Sequence, residues 1–263
     1  MKHNEKNMTF LDHLSELRKH LIRSFSLVLI SMIVFFFNKE LLFDTLILAP
    51  KSPNFITYKF LCKLSSLINL DSLLCIKKPI FILMNVNMSG QFTTHIWISF
   101  IASIIFSFPY LVFELWLFIR PALTLNEKKS TSGIVFIISI LFFIGILFGY
   151  YLIVPLSINF LGNYQVSPLV ANNINLSSYI SIVSSITLSC GIIFQLPILV
   201  YFLSKFGIIS SLFMKKYRSH FIIVSLIFSS IITPPDISSQ ILVTIPLLFL
   251  YEISIIVSKY VNE

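Results

Sequence analysis

The sequence predicts an all-α polytopic membrane protein with six transmembrane helices. Of its 263 residues, 56% are apolar and only 11% are charged, whereas soluble domains carry about 25% charged residues. So few charges cannot cover so much apolar surface in water, and the same composition excludes disorder. The net charge is +8, but the basic residues lie at the ends of apolar segments and form no single stripe, so nucleic acid is not an expected partner.

Six apolar runs divide the chain, and we predict one membrane domain over residues 1–263. A helix needs about 20 residues to cross about 30 Å of hydrocarbon, and four of the runs reach that length. In chain order we predict an interfacial helix at 9–20 and transmembrane helices at 21–38, 93–119, 132–154, 178–205, 219–232 and 238–257, with a long outer loop at 39–91.

The fifth and sixth runs are predicted to form a hairpin of short spans. The apolar part of the fifth run has about a dozen residues, which at about 1.5 Å per residue reach roughly 18 Å. Pro234 and Pro235 separate it from the sixth run, because Pro cannot continue a helix interior. We therefore expect the bilayer to be thinner beside these two spans.

The distribution of Lys and Arg predicts that both termini lie on the same side of the membrane. Basic residues occur in the N-terminal segment and in the loops after the second and fourth runs, whereas the loops after the third and fifth runs contain none. Because basic loops stay on the cytoplasmic side, six spans with both termini on that side fit the pattern. The first outer loop is also basic, but loops of its length obey the rule weakly.

The segment 9–20 is predicted to be an amphipathic helix that lies in the membrane interface and leads into the first span. Thr9 and Asp12 have the spacing of a capping box. The apolar face would hold Phe10, Leu14, Leu17 and Leu21, and the charged face Asp12, Glu16, Lys19 and Arg23. Two interpretations stay open: a solvated face with weak ion pairs such as Glu16 to Lys19, or a face on which Glu16 binds a basic ligand.

A few other polar residues are candidates for function. Glu127 lies in the loop between the second and third spans, where it either favours the start of the third helix or forms part of the same ligand site. Glu114, Gln195 and Glu252 lie inside predicted spans. Polar groups there are costly and are functional candidates by default, although a hydrogen bond between helices or a neutral carboxyl group would also explain them.

Nothing in the sequence points to an enzyme, a metal site or a cofactor. The five His residues lie in the N-terminal segment or at helix ends, whereas membrane haem and copper centres need His within the spans. This placement disfavours a subunit of a respiratory enzyme. The three Cys residues match no metal spacing. Cys62 and Cys75 share the outer loop and either pair or remain free thiols.

Five segments of the chain form a recognisable series. They are residues 13–19 (HLSELRK), 49–50 (AP), 109–129 (from PY through ELWLFIRPAL to EKK), 191–197 (GIIFQLP) and 233–240 (TPPDISSQ). In this order and spacing they resemble the TatC family, whose members are the core subunits of the twin-arginine protein translocase. The resemblance covers nearly the whole chain, and it implies six transmembrane helices in a concave, glove-like bundle with short fifth and sixth spans.

The resemblance also implies roles for individual residues. Signal-peptide binding is implied for Glu16, Glu127, Arg18, Lys19 and Phe118, contact with single-span partner subunits in the membrane for Gln195, and a function on the outer side for Pro50 and Asp236. Two positions depart from the family pattern: Gln195 stands where Glu is common, and Glu114 where bacterial members often have Gln. Relative to the family pattern, either the carboxyl group lies on the facing helix instead, or the partner subunit in the membrane is a different one.

The predicted function is Sec-independent translocation of folded proteins, driven by the proton gradient. The chain would receive twin-arginine signal peptides, recruit TatA- or TatB-like subunits, and form a homo-oligomer within a hetero-complex. The alternative is a proton-coupled transporter of small solutes that uses Glu114 and Glu252. The abundance of Phe, Ile, Lys and Asn favours the mitochondrial inner membrane, with a plastid thylakoid or a bacterial inner membrane as alternatives.

Overall fold

A computed structural model describes residues 10–67, 81–122, 133–165, 167, 172–232 and 237–262. The α-helices in chain order are α1 Phe10–Phe37, α2 Ile56–Leu67, α3 Gly90–Ile119, α4 Ile134–Phe148, α5 Val154–Asn163, α6 Leu176–Ile193, α7 Leu196–Lys205, α8 Ser211–Lys216, α9 Arg218–Ile232 and α10 Ile237–Asn262. Two short strands, β1 Ile82–Met84 and β2 Asn173–Asn175, pair in parallel. The fold is therefore all-α apart from one small strand pair.

Five helical stretches within the described residues are long and apolar enough to cross a membrane. They are His13–Phe37, Gly90–Ile119, Ile134–Asn163, Leu176–Lys205 and Val243–Val261. A shorter apolar helix, Arg218–Ile231, precedes the last of them. The prediction of an all-α multi-pass membrane protein is confirmed, while the count of six spans stays a prediction because the fifth helix is short.

Helix α1 joins the predicted interfacial helix and the first span into one element. Its 28 residues contain neither Gly nor Pro, so nothing in the sequence interrupts the backbone hydrogen bonds. At about 1.5 Å per residue it is about 42 Å long, longer than the hydrocarbon core. Its first turns can therefore extend beyond the membrane while its remainder packs against α3, as in the contact of Ser31 Oγ with Ser107 Oγ at 3.0 Å.

The third and fourth spans differ from the predicted single helices. The third continues from α4 through a π-helical segment, Gly149–Ile153, into α5, because Pro155 cannot supply an N–H to a regular α-helix. The fourth breaks between α6 and α7 at Phe194 and Gln195, just before Pro197. Each proline thus interrupts a span locally without ending it.

The outer loop is largely structured. After the first span it forms a π-helical segment, Leu41–Ile47, a 3-10 turn, Ala49–Lys51, and then α2 and β1. Within the described residues Cys62 is disulfide-bonded and Cys190 is a buried free thiol, whereas Cys75 lies outside them. These elements pack along the outer end of the bundle, where Leu42, Ile47 and Phe81 join the main core.

Small polar side chains pack between the spans in addition to the apolar core. Ser204 Oγ donates to Ser258 Oγ at 2.8 Å, and the hydroxyl groups of Ser229 and Thr244 are 2.9 Å apart. Apolar packing gives helices little preference for one another over lipid, so such hydroxyl pairs help to select which helices meet. They join α7 to α10 and α9 to α10.

Candidate functional site

A buried carboxyl group lies where the N-terminal part of α1 meets the C-terminal part of α3. Glu114 is 3% exposed. Its Oε2 atom is 2.5 Å from Nδ1 of His20, and its Oε1 atom accepts a hydrogen bond from the Tyr110 hydroxyl at 2.6 Å. Both oxygen atoms therefore have donors, as a buried carboxylate requires. Tyr110 lies one helical turn before Glu114, whereas His20 comes from the neighbouring helix.

Glu16 lies one helical turn before His20, at the surface end of a series formed by Glu114, His20 and Glu16. Oε2 of Glu16 is 4.0 Å from Nε2 of His20, and Oε1 is 3.8 Å from Nζ of Lys19. The Glu16 side chain is 44% exposed, while that of His20 is only 14% exposed. The imidazole ring thus lies between an accessible carboxylate and a buried one. The ring is in direct contact with Glu114, whereas its 4.0 Å distance from Glu16 is longer than a hydrogen bond.

Phe118 lies beside this series, one turn after Glu114. The His13 ring stacks on the Phe118 ring with centroids 4.3 Å apart, and the His20 ring approaches it edge-on at 6.4 Å. Arg18 and Lys19 are exposed on the same part of α1. The structure therefore places Glu16, Lys19 and Phe118 around His20, whereas Arg18, two residues from both Glu16 and His20, lies on another face of α1. The fifth predicted signal-binding residue, Glu127, lies outside the described residues.

Gln195 occupies the break between α6 and α7, away from that site. Its Nε2 atom donates to the carbonyl oxygen of Ile138 at 3.3 Å, whereas its Oε1 atom is buried without a hydrogen-bond partner within the described part of the chain. Glu114 and Gln195 have different neighbours: Glu114 contacts α1 and Gln195 contacts α4. An unpaired buried acceptor is costly, and a donor from a partner helix would remove that cost.

On the outer side, Pro50 is fully buried in the 3-10 turn after the first span. The Tyr58 hydroxyl lies 2.9 Å from the Pro50 carbonyl oxygen and 3.1 Å from that of Pro155, and its single hydrogen is shared between these two acceptors. Burial raises the pKa of Tyr58 above its ordinary value, which keeps the hydroxyl protonated as a donor. Pro50 therefore anchors the outer loop to the third span. Asp236, its predicted counterpart, lies outside the described residues.

A proton-coupled transporter would use Glu252 together with Glu114. Glu252 forms an ion pair with Arg218, in which Nε of Arg218 lies 2.5 Å from Oε1 of Glu252. Both side chains are exposed, at 41% for Glu252 and 58% for Arg218. The two carboxyl groups thus have separate partners on different helices, so their placement does not favour a shared proton path.

Comparison with known proteins decides the family. A family model described as Sec-independent protein translocase protein (TatC) matches residues 12–246. The chain belongs to the TatC family. The TatC protein of Blattabacterium sp. subsp. Periplaneta americana (strain BPLAN) is 41% identical over 265 aligned residues, covering 100% of this chain and 99% of that protein. That of Aquifex aeolicus is 32% identical over 253 residues, covering 96% and 95%.

Two solved structures are also similar. The crystal structure of the twin arginine translocase receptor TatC has a TM-score of 0.67 at 30% identity and covers 95% of this chain and 100% of its own. The structure of that receptor in DDM has a TM-score of 0.68 at 31% identity, with coverage of 94% and 99%. Together with the sequence match, these structures confirm the resemblance to TatC. The relatives named above are bacterial, so the mitochondrial location favoured by composition is not supported.

Three residues of this TatC site were missing from the predicted set: His13, His20 and Tyr110. The signal for Tyr110 was its spacing of four from Glu114, which places both side chains on one helix face. His20 has the same spacing from Glu16. No sequence pattern near His20 predicts its contact with Glu114, which is 94 residues away. That contact follows from the packing of α1 on α3.

Proposed function

We propose that this chain is the receptor subunit of a Sec-independent protein translocase and that Glu16 binds a twin-arginine signal peptide. The observation that supports this role best is the half-exposed Glu16 carboxylate, which lies one helical turn before His20, whose ring packs against Phe118. Family membership supports the activity, and the exposure of Glu16 is compatible with a binding surface. The chain would act by binding and assembly, and we propose no catalytic step for it.

The chemistry of this surface suits an arginine ligand. A guanidinium presents two parallel N–H donors that match a carboxylate, which an ammonium cannot do. Glu16 currently contacts Lys19 at 3.8 Å, an exposed pair worth about 0–1 kcal/mol, so exchange for a bidentate arginine costs little. We assign the second arginine to Glu127, for which the family resemblance implies the same role.

Phe118 and the exposed apolar side of α1 would receive the apolar part of the signal. Leu14 and Leu17 are 44% and 37% exposed and lie on the same helix as Glu16. Because exposed ion pairs are weak, apolar contact would supply much of the affinity. Arg18 and Lys19 border the surface and would repel further basic residues, which limits the site to the arginine pair.

Single-span TatA- or TatB-like subunits would dock on the membrane face that carries Gln195. The Gln195 side chain, whose buried Oε1 atom has no partner in the described part of the chain, would turn outward and accept a hydrogen bond from such a helix. On the outer side, Pro50 and Asp236 would shape the surface across which the cargo leaves. We assign the chain to a bacterial inner membrane, with both termini in the cytoplasm, a homo-oligomeric arrangement within the complex, and the proton gradient as energy source.

Site-specific crosslinking of a twin-arginine precursor to the full-length chain in native membranes tests the receptor role. A photocrosslinker at Phe118 should label the precursor, and Glu16→Ala or Glu127→Ala should abolish the product. Glu40→Ala is the matched control, because Glu40 is an exposed carboxylate next to the outer end of the first span. A precursor with two lysines should also fail to crosslink. Undiminished crosslinking in both the Glu16 and Glu127 variants would overturn the assignment.

A further inference from the structure

An apolar groove runs between α4, α7 and α10 on the membrane-facing surface. Its volume is about 550 Å³. One end is lined by Ile134, Tyr201 and Val257, and the other by Ile144 and Pro246. Along α4 the lining extends over eleven residues, from Ile134 to Ile144, and the ten steps between them correspond to about 15 Å. Half of a hydrocarbon core of about 30 Å is also about 15 Å, so the groove has the depth of one leaflet.

A lysine lies one helical turn beyond Tyr201, which lines one end of the groove. Lys205 is the last residue of α7, and its Nζ atom lies 5.7 Å from the centroid of the Tyr201 ring. This atom is buried and has no hydrogen-bond partner within the described residues. An ammonium group without an acceptor is costly at this depth. Its long side chain can reach an anion at the membrane interface.

From these two features we propose that the groove binds an anionic phospholipid of the leaflet on the Lys205 side. The acyl chain would lie between Ile134 and Ile144, and the ammonium of Lys205 would bind the phosphate. Tyr201 would sit at the level of the head group, where aromatic rings with a hydroxyl are favoured. Basic residues between transmembrane helices commonly bind such head groups.

The unpaired ammonium of Lys205 favours a phospholipid over a helix as the occupant. An apolar partner helix could cover the groove, but it would leave that ammonium without an anion. An acyl chain is thin and flexible, and it would remove the apolar lining from contact with bulk lipid without needing a partner protein.

Native mass spectrometry of the purified full-length chain tests the proposal. The protein is incubated with equal amounts of phosphatidylglycerol and phosphatidylcholine that carry the same acyl chains. We expect phosphatidylglycerol to be retained about fivefold more, the factor typical of one basic residue at an anionic surface. Lys205→Gln should abolish that preference and Lys205→Arg should keep it. Lys216→Gln is the matched control, since Lys216 is exposed in the neighbouring α8, and it should behave as wild type.

A second variant tests the groove itself. Ile137 lines it and is 52% exposed, so Ile137→Trp should fill it and reduce retention of both lipids. Equal retention of the two lipids by the wild type, or a preference that survives Lys205→Gln, would overturn the proposal. If a partner helix covers the groove instead, the protein should show no head-group preference, and that result would also overturn the proposal. If Lys205→Gln fails to fold, the preference of the wild type and the lipid retention of Ile137→Trp still test whether the groove binds the anionic lipid.

Discussion

Replacing Glu114 with Ala should destabilise the protein strongly, although the residue lies near the end of the bundle. The change removes the acceptor for His20 at 2.5 Å and for the Tyr110 hydroxyl at 2.6 Å. Removing one partner of a buried pair costs about 3–5 kcal/mol. His20 keeps 14% exposure, so water can partly replace the lost contact, and we expect the lower value, about 3 kcal/mol.

The assay is the thermal unfolding midpoint of the purified protein in detergent at a fixed scan rate. For a chain of this size, 1 kcal/mol corresponds to about 2 °C, so Glu114→Ala should lower the midpoint by about 6 °C. Glu114→Gln should lower it much less, because the amide can accept from Tyr110 and donate to a neutral His20. Glu252→Ala is the matched control, since that carboxylate is 41% exposed in its ion pair.

A double-mutant cycle with His20→Ala isolates the contact between the two residues. If the pair is coupled as the geometry indicates, the double variant should be less destabilised than the sum of the single variants, by about 1.5 kcal/mol or more. Additive effects, or equal losses for Glu114→Ala and Glu252→Ala, would refute the assignment of Glu114 as a buried group held by His20.

Three further predictions follow from packing and polar contacts. Gly145→Ala should cost about 1–3 kcal/mol, because a Cβ atom there would lie 2.6 Å from the Cys190 carbonyl oxygen; an unchanged unfolding midpoint would contradict this. The wild type should lose stability as pH rises past about 10, because burial raises the pKa of Tyr58 in the folded state only. Tyr58→Phe should reduce that loss, and identical alkaline unfolding profiles of the wild type and the variant would disprove this. Gln195→Leu should abolish crosslinking to single-span subunits while signal-peptide crosslinking continues, and loss of both would indicate misfolding.

Much of the site could be predicted because its residues lie in recognisable local motifs. Glu16, Arg18 and Lys19 belong to one helical segment, and Phe118 follows Glu114 by one turn. In the structure the two segments meet where His20 contacts Phe118. The sequence did not predict the break at Gln195, because a straight span and an interrupted one have the same apolar composition. Pro197 alone does not show how the backbone adjusts.

The sequence by itself determined that this is a helical membrane protein, and roughly where its helices lie. That follows from local chemistry, since a long apolar segment in lipid must satisfy its own backbone hydrogen bonds and therefore forms a helix. Only the tertiary structure decided that Glu114 faces His20 and that Lys205 lies one helical turn beyond the end of an apolar groove. Helices in lipid gain little from apolar contact with one another, so their pairing depends on close packing and a few polar contacts between residues far apart in the chain.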